Sequence, residues 1–217
     1  MTDKYLTLGG PSEGDYKEKG SKFLAYAFPV YSEEEVRGHL DVLKKLHPKA
    51  RHHCFAYRLG MDGNQYRAND DGEPSGTAGK PMLGQIDSFG LTNVLVVAVR
   101  YFGGTKLGVP GLIAAYKACA FDALQQAAIV ERRLCEVHRI VFGYEKMPQV
   151  MNAVKGLEIN VLNQKFEDSC ALEIALPQSE AEGILLGLKA AIAQVPLEMA
   201  KSMDELEGVE IVFDRLA

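Results

Sequence analysis

Apolar and polar positions change period several times along the chain, and each change marks an element. Residues 5–8 and 22–30 ("KFLAYAFPV") read as strands, and "GGPSEGDYKEKGS" between them is rich in turn residues and charge. Ser32 precedes "EEEVRGHLDVLKKLH". A serine followed three residues later by glutamate is a capping-box signature, and Val36, Leu40, Leu43 and Leu46 recur at helical spacing before Pro48 ends the run. "ARHHCFAYRLG" reads as a strand bounded by Gly60. The glycine-rich polar stretch after it, residues 61–81, reads as a long loop. "TNVLVVAVRYF" is nearly continuous in apolar residues and predicts a central strand buried on both faces. From Pro110 to about Ala128 the pattern is that of a largely buried helix, with Pro110 suited to its first position.

After residue 130 the rhythm restarts. "EVHRIVFGY" alternates like a strand, and "MPQVMNAVKGLE" is a short helix with Pro148 in its first turn. "INVLNQKFE" and "CALEIALP" are strands joined by a "DS" hairpin signal. A helix over "QSEAEGILLGLKAAIAQV" follows, and either "LEMAKSMDE" or "VEIVFDR" supplies a last strand. The order βαββαβ is the ferredoxin-like arrangement. The expectation is therefore an α+β protein of two domains, residues 1–134 and 135–217, with no low-complexity linker between them.

Composition adds little to that picture, and charge adds more. At 217 residues, 47% hydrophobic and 24% charged, the chain has the make-up of a soluble globular protein. No apolar run approaches a membrane span, and the first ten residues lack the basic start and apolar core of a signal peptide, so a cytoplasmic protein without membrane contact is expected. Cys54, Cys119, Cys135 and Cys170 form no CxxC pair, which predicts free thiols. The net charge of −5 divides into +2 over residues 1–134 and −7 over residues 135–217. Any nucleic-acid contact must then be local to the first part.

Three segments of that first part carry candidate chemistry. In "RYFGGTKLGVPG" a buried strand enters a helix through glycines, which is the geometry that presents free backbone N–H groups to an anion, with Lys106 in the turn. Its glycines at 103, 104, 108 and 111 do not fit GxGxxG, and a tight bend is the plain alternative. "GEPSGTAGKPM" fails the Walker pattern at Pro74 and Pro81, but Gly76, Thr77, Gly79 and Lys80 could still form a backbone anion nest. In "RHHC", alternation puts His53 on the apolar side with Phe55, Tyr57 and Leu59. His53 is expected to be packed and hydrogen-bonded, and His52, with Arg51 and Arg58, to face a ligand. The carboxylates Asp70, Asp71 and Glu73 could hold magnesium, act as acid and base, or pair with arginines in a solvated turn.

Taken together, "GSKF", "HPKARHHCFAY", "DDGEPSGTAGKPML" and "VRYFGGTKLGVPGL" resemble the signature segments of the YigZ/Impact family, in the right order across about residues 20–125. The resemblance implies a first domain with the fold of a ribosomal protein domain and of the fourth domain of the translocating elongation factor. It implies a second, ferredoxin-like domain similar to that factor's last domain. It further implies a role in regulation of translation, with nucleic acid or the ribosome as the usual suggested contact. Two departures weaken an anion site in this chain: Val109-Pro110 stands where the family has Thr-Gly, and Ala115 stands where it often has a basic residue.

The leading expectation is a non-enzymatic protein that binds RNA or the ribosome without a cofactor. Arg51, His52, Lys80, Arg100 and Lys106 would meet phosphates, Arg58, Gly76, Thr77, Gly79, Gly103 and Gly104 would complete the surface, and Tyr101 or Phe102 would stack a base. The alternatives are an enzyme on a phosphorylated small molecule with magnesium on Asp70, Asp71 and Glu73, and a protein-interaction module whose partner is a translation factor or the ribosome.

Overall fold

The computed structural model describes residues 3–167, 169–203 and 205–216. It is a mixed α+β structure that divides into two compact units, one spanning Tyr5–Arg132 and the other running from Arg133 onward with residues 3–4. No described helix is long and apolar enough to cross a membrane.

In the first unit, β1 (Lys4–Leu8) pairs with β7 (Ile129–Arg133) in a small sheet. A five-stranded sheet is formed by β2 (Ser12–Glu18), β3 (Ser21–Pro29), β4 (His52–Leu59), β5 (Gln65–Asn69) and β6 (Val94–Tyr101), in the order β2-β3-β6-β4-β5. β6 is central and pairs with β3 and β4, as its valine-rich run requires. Helices α2 (Gly79–Ser88) and α3 (Gly108–Gln125) cover one face of this sheet, over a core that includes Phe23, Ala25, Met82, Ile86, Val96, Ala98, Leu112 and Tyr116. Helix α1 (Glu33–Leu46) covers part of the other face over Val30, Tyr57, Leu59, Leu95 and Val97. α1 starts where its capping box predicts. Ser32 accepts the Glu35 N–H, and Glu35 reaches back to accept the Tyr31 N–H.

The second unit has the element order β8 (Cys135–Phe142), α4 (Met147–Gly156), β9 (Asn160–Phe166), β10 (Cys170–Pro177), α5 (Ala181–Ala193), a short α6 (Leu197–Ala200) and β11 (Val209–Leu216). Its sheet runs β11-β8-β10-β9 and is antiparallel throughout. The last strand is therefore "VEIVFDR", and "LEMA" is helical. Within the "DS" hairpin signal, Asp168 lies outside the described residues.

Two strands occupy segments that read as turn and loop. β2 is almost wholly polar, and it is an edge strand whose inward positions pack on α3. A Cβ on Gly14 would lie 2.3 Å from the Ala123 nitrogen, so only glycine lets the strand come so close. β5, the opposite edge, sits within the stretch that reads as one long loop. α3 begins at Gly108, which leaves Pro110 as its third residue.

Candidate anion-binding site

The strand directions bring the candidate segments to one end of the five-stranded sheet. β4 starts there with His52 opposite Arg100, β6 ends there at Tyr101, and β3 starts there with Lys22 opposite Tyr101. β5 also ends there and leads into α2. Two glycine-rich turns thus leave the same end of the sheet, each entering a helix on the same face.

The first turn, between β5 and α2, is filled from within. The Asp70 carboxylate accepts the Gly76 N–H at 2.7 Å and the Ala78 and Gly79 N–H groups at 2.9 Å each. Burial alone would raise the Asp70 carboxyl, but the N–H groups of Gly76, Gly79 and Ala78 together hold it below the usual carboxylate range. These are the donors an anion nest would have offered, so the expectation that Gly76 and Gly79 cradle an external anion is corrected: the nest already holds a carboxylate. Thr77 is buried and donates its hydroxyl to the Pro74 carbonyl at 2.6 Å, facing away from any ligand. Gly79 is there for packing, since a Cβ would lie 2.4 Å from the Asn69 nitrogen. Of the four nest candidates Gly76, Thr77, Gly79 and Lys80, only Lys80 is exposed, and it makes no ion pair among the described residues.

The carboxylates after β5 diverge rather than converge. Asp71, at φ +41°, accepts the His53 N–H at 2.6 Å, and its carbonyl shares a hydrogen bond with His52 Nδ1 at 2.8 Å. Glu73 is buried, and its Oε1 accepts from Arg100 at 2.6 Å and from the Tyr116 hydroxyl of α3 at 2.8 Å. His52 Nε2 lies 4.0 Å from the same oxygen. Among the described residues no group of three or more His, Cys, Asp or Glu side chains could hold a metal ion, which corrects the magnesium reading of Asp70, Asp71 and Glu73. Arg100 is corrected as well. It is 6% exposed, its guanidinium lies against the rings of Phe23 and Phe102, its charge is met by Glu73, and among the described residues its Nε has no partner. It ties the first turn to the sheet and is not presented to solvent. Burial raises the Tyr116 hydroxyl and the Cys54 thiol well above their ordinary values, so both stay protonated within this network.

Two further candidates fall elsewhere. Arg58 is six residues beyond His52 on β4, about 20 Å away at strand rise. It donates to Asp87 at 2.7 Å and stacks on Tyr66, so it does not join the site. His53 is packed at 8% exposure and, as expected, hydrogen-bonded, through the His47 backbone, while among the described residues its Nε2 has no partner.

The second turn, between β6 and α3, is open. Residues 102–106 are all exposed, and Lys106 makes no ion pair among the described residues. Leu107, the N-cap of α3, has no side-chain hydrogen bond to the helix, and among the described residues no side chain takes the N–H groups of Gly108 or Val109 as Asp70 takes those of α2. Gly104 (φ +89°) and Gly108 (φ +71°) take backbone conformations that favour glycine. Gly103 is instead a close approach: a Cβ would meet the Gly20 carbonyl carbon at 1.9 Å, and its N–H donates to Ser21. Phe102 is 49% exposed, whereas Tyr101 is half-buried and shares a hydrogen bond with His47, so Phe102 is the freer ring. Pro110 removes one donor from the first turn of α3 and leaves the N–H groups of Gly108 and Val109. Ala115 is fully buried in the core, so that position offers no charge to the turn.

Sequence reasoning missed two participants. Tyr116 lies in an apolar helix pattern that gave no sign of its hydroxyl reaching Glu73. Lys22, in "GSKF", is placed beside Tyr101 only by the β3–β6 register.

Residues 19–124 match the Impact N-terminal domain. The IMPACT family member YvyE of Bacillus subtilis is 32% identical over 180 residues, covering 83% of this chain and 83% of its own. The IMPACT family member YigZ of Escherichia coli is 31% identical over 164 residues, covering 75% of this chain and 80% of its own. A solved structure described as that of a hypothetical protein aligns over 99% of both chains, with a TM-score of 0.70 and 25% identity.

Proposed function

Because the chain belongs to the IMPACT family, we propose that it is a non-enzymatic, translation-associated protein of the cytoplasm that contacts RNA or the ribosome through the open turn before α3. One observation carries this reading: of the two glycine turns at the sheet end, one is plugged by its own aspartate, and the other presents Lys106, Phe102 and an uncapped helix N-terminus to solvent. Lys106 and Lys80 would meet phosphates, Phe102 would stack a base, and the N–H groups of Gly108 and Val109 would add partial positive charge. In this reading the two domains are residues 1–134, with the ribosomal-protein-like fold that the family resemblance implies, and residues 135–217, a ferredoxin-like domain whose βαββαβ order and four-stranded sheet suit that name.

Filter binding of structured and single-stranded RNA across a salt series tests this. Lys80→Ala with Lys106→Ala should weaken binding and flatten the salt dependence, by about 0.7–0.9 in log–log slope for each phosphate no longer neutralised. Binding absent at low salt, or unchanged in that variant, would sink the reading. A protein contact is favoured by a separate observation: Phe102, Val109 and Ile113 leave exposed apolar surface around the same turn. A translation factor or ribosomal protein held there would stay bound at high salt.

A further inference from the structure

The opposite face of the same sheet end carries a feature that no single segment shows. Lys17 of β2 lies directly opposite Lys22 of β3, and Lys22 lies directly opposite Tyr101 of β6. Cross-strand partners share a face, so the three side chains form a row across three strands. On the next strand the ladder ends with His52 opposite Arg100, and Arg51 stands in the bend just before it, at the same end of the sheet as Tyr101. Lys17, Lys22 and Arg51 are exposed, and among the described residues none makes an ion pair. Like charges directly opposite in a ladder are destabilising. Glu13 and Asp15 of β2 share this face but stand two and one pairs further along, opposite Tyr26 and Leu24.

The aromatic member of the row is held in place. The Tyr101 hydroxyl shares a hydrogen bond of 2.9 Å with His47 Nδ1, and His47 Nε2 shares one of 2.8 Å with the Tyr26 hydroxyl. His47 is also the C-terminal cap of α1, so the ring is fixed to both the helix and the sheet. Burial lowers the His47 pKa, while the Glu13 carboxylate pulls it up and the Lys22 ammonium pulls it down, so both an anion and a cation of this face are felt at the ring pair. Tyr101 stays partly exposed beside Lys22. The row also adjoins the open turn, because the β2–β3 turn packs Gly20 against Gly103, with Lys19 exposed at its tip.

We propose that Lys17, Lys22, Tyr101 and Arg51 form a second contact for single-stranded nucleic acid, on the sheet face away from α2 and α3, so that one strand passes round the sheet end from the Lys106 turn. The proposal rests on the reading that the first unit binds nucleic acid. A fixed, partly exposed ring beside cations that make no ion pair among the described residues matches a base flanked by phosphates, the pairing that single-strand binding surfaces use.

The test is fluorescence anisotropy of the full chain with a labelled single-stranded RNA of about 20 nucleotides, long enough to span more than one binding surface. Lys17→Ser, Lys22→Ser and Arg51→Ser together should cut affinity at least tenfold and lower the salt slope by about two. Tyr101→Leu should cost about tenfold more than Tyr101→Phe, which keeps the ring. Unchanged affinity and slope in the triple variant, while Lys80→Ala with Lys106→Ala loses binding, would overturn this surface and leave the open turn standing. The reverse pattern would uphold this surface and remove the open turn. Displacement of the RNA by polyglutamate at equal charge concentration would mean that the row takes any polyanion, and would overturn the nucleic-acid assignment, as would wild-type protein that binds no RNA.

Discussion

Two turns leave the same end of one sheet, both rich in glycine and both entering helices on the same face, yet they are built for different ends. The turn before α2 is closed: Asp70 takes three of its N–H groups, Thr77 bonds inward, and Glu73 holds Arg100 and Tyr116 beneath it. The turn before α3 has no such plug and leaves Lys106 and Phe102 in solvent. A glycine-rich strand-to-helix turn is therefore not by itself an anion site. What decides is whether a side chain of the same chain reaches the donors first.

The strongest way to break the closed turn is to remove the buried charge beneath it. Glu73→Ala leaves Arg100 buried without its partner and should cost about 3–5 kcal/mol in urea unfolding of the full chain. Glu73→Gln, which keeps an acceptor for Tyr116 and Arg100, should cost less. Glu73→Leu combined with Arg100→Leu should recover part of the loss, because no charge is then stranded. A Glu73→Ala protein as stable as wild type would show that the pair does not hold this turn.

Removing the plug should convert the closed turn into the open kind. Asp70→Ala should lose about 2–3 kcal/mol, since hydrogen bonds to a charged group are worth more than neutral ones. It should also gain stabilisation by sulfate that wild type lacks at this turn, read as a rise in melting temperature with added sulfate. The same carboxylate sets an acid limit. Its folded pKa lies below the ordinary 3.8, so its contribution is complete above that value and is lost as pH falls through the lower folded one. The protection factors of the Gly76, Ala78 and Gly79 amides, taken relative to the intrinsic exchange rate at each pH, should fall in that acid window and stay constant at pH 5–7. Protection that fades near neutrality would point to another group.

Much of this was readable in the sequence, and the exceptions have physical causes. Long periodic elements such as α1 and the central strand β6 follow from spacing and capping alone. β2 and β5 do not, because edge strands need little apolar surface, and "SEGDYKE" is held by backbone pairing and by packing on α3. The motifs "RHHC", "GTAGK" and "RYFGG" announced a site, but their roles depend on contacts across 27 and 43 residues, Glu73 to Arg100 and Glu73 to Tyr116. Composition cannot show that Asp70 would answer its own glycines. Nor can it show that Lys17 and Lys22 would stand opposite each other, since that follows from the register of a strand the hydrophobic pattern hides.

The open turn should respond to shape before charge. Gly103→Ala brings a Cβ to 1.9 Å from the Gly20 carbonyl carbon, so one backbone must move, at about 1–3 kcal/mol by the usual cost of overpacking. Because Gly103 also anchors the turn through Ser21, RNA affinity should fall with stability. Gly10→Ala, where an added Cβ meets nothing within 4 Å, is the matched control and should change neither. Equal effects from the two substitutions would mean that close approach at Gly103 is not what shapes the turn.

The smallest effect on stability belongs to the residue that the proposed function places in most direct contact with phosphate. Lys106 is exposed and makes no ion pair among the described residues, so Lys106→Ala should move stability by no more than about 0.5 kcal/mol, as for other surface substitutions. Its effect should appear only against a polyanion, as weaker RNA binding whose loss shrinks with rising salt. Lys80→Ala, beside the closed turn, makes the comparison sharp, because both lysines are exposed at the start of a helix and differ mainly in whether the neighbouring donors are free. If free donors matter, Lys106→Ala costs more affinity than Lys80→Ala, and the gap narrows in an Asp70→Ala background, where both turns are open. Equal losses in both backgrounds would mean that the lysines act as independent point charges and that the plug in the first turn has no bearing on binding.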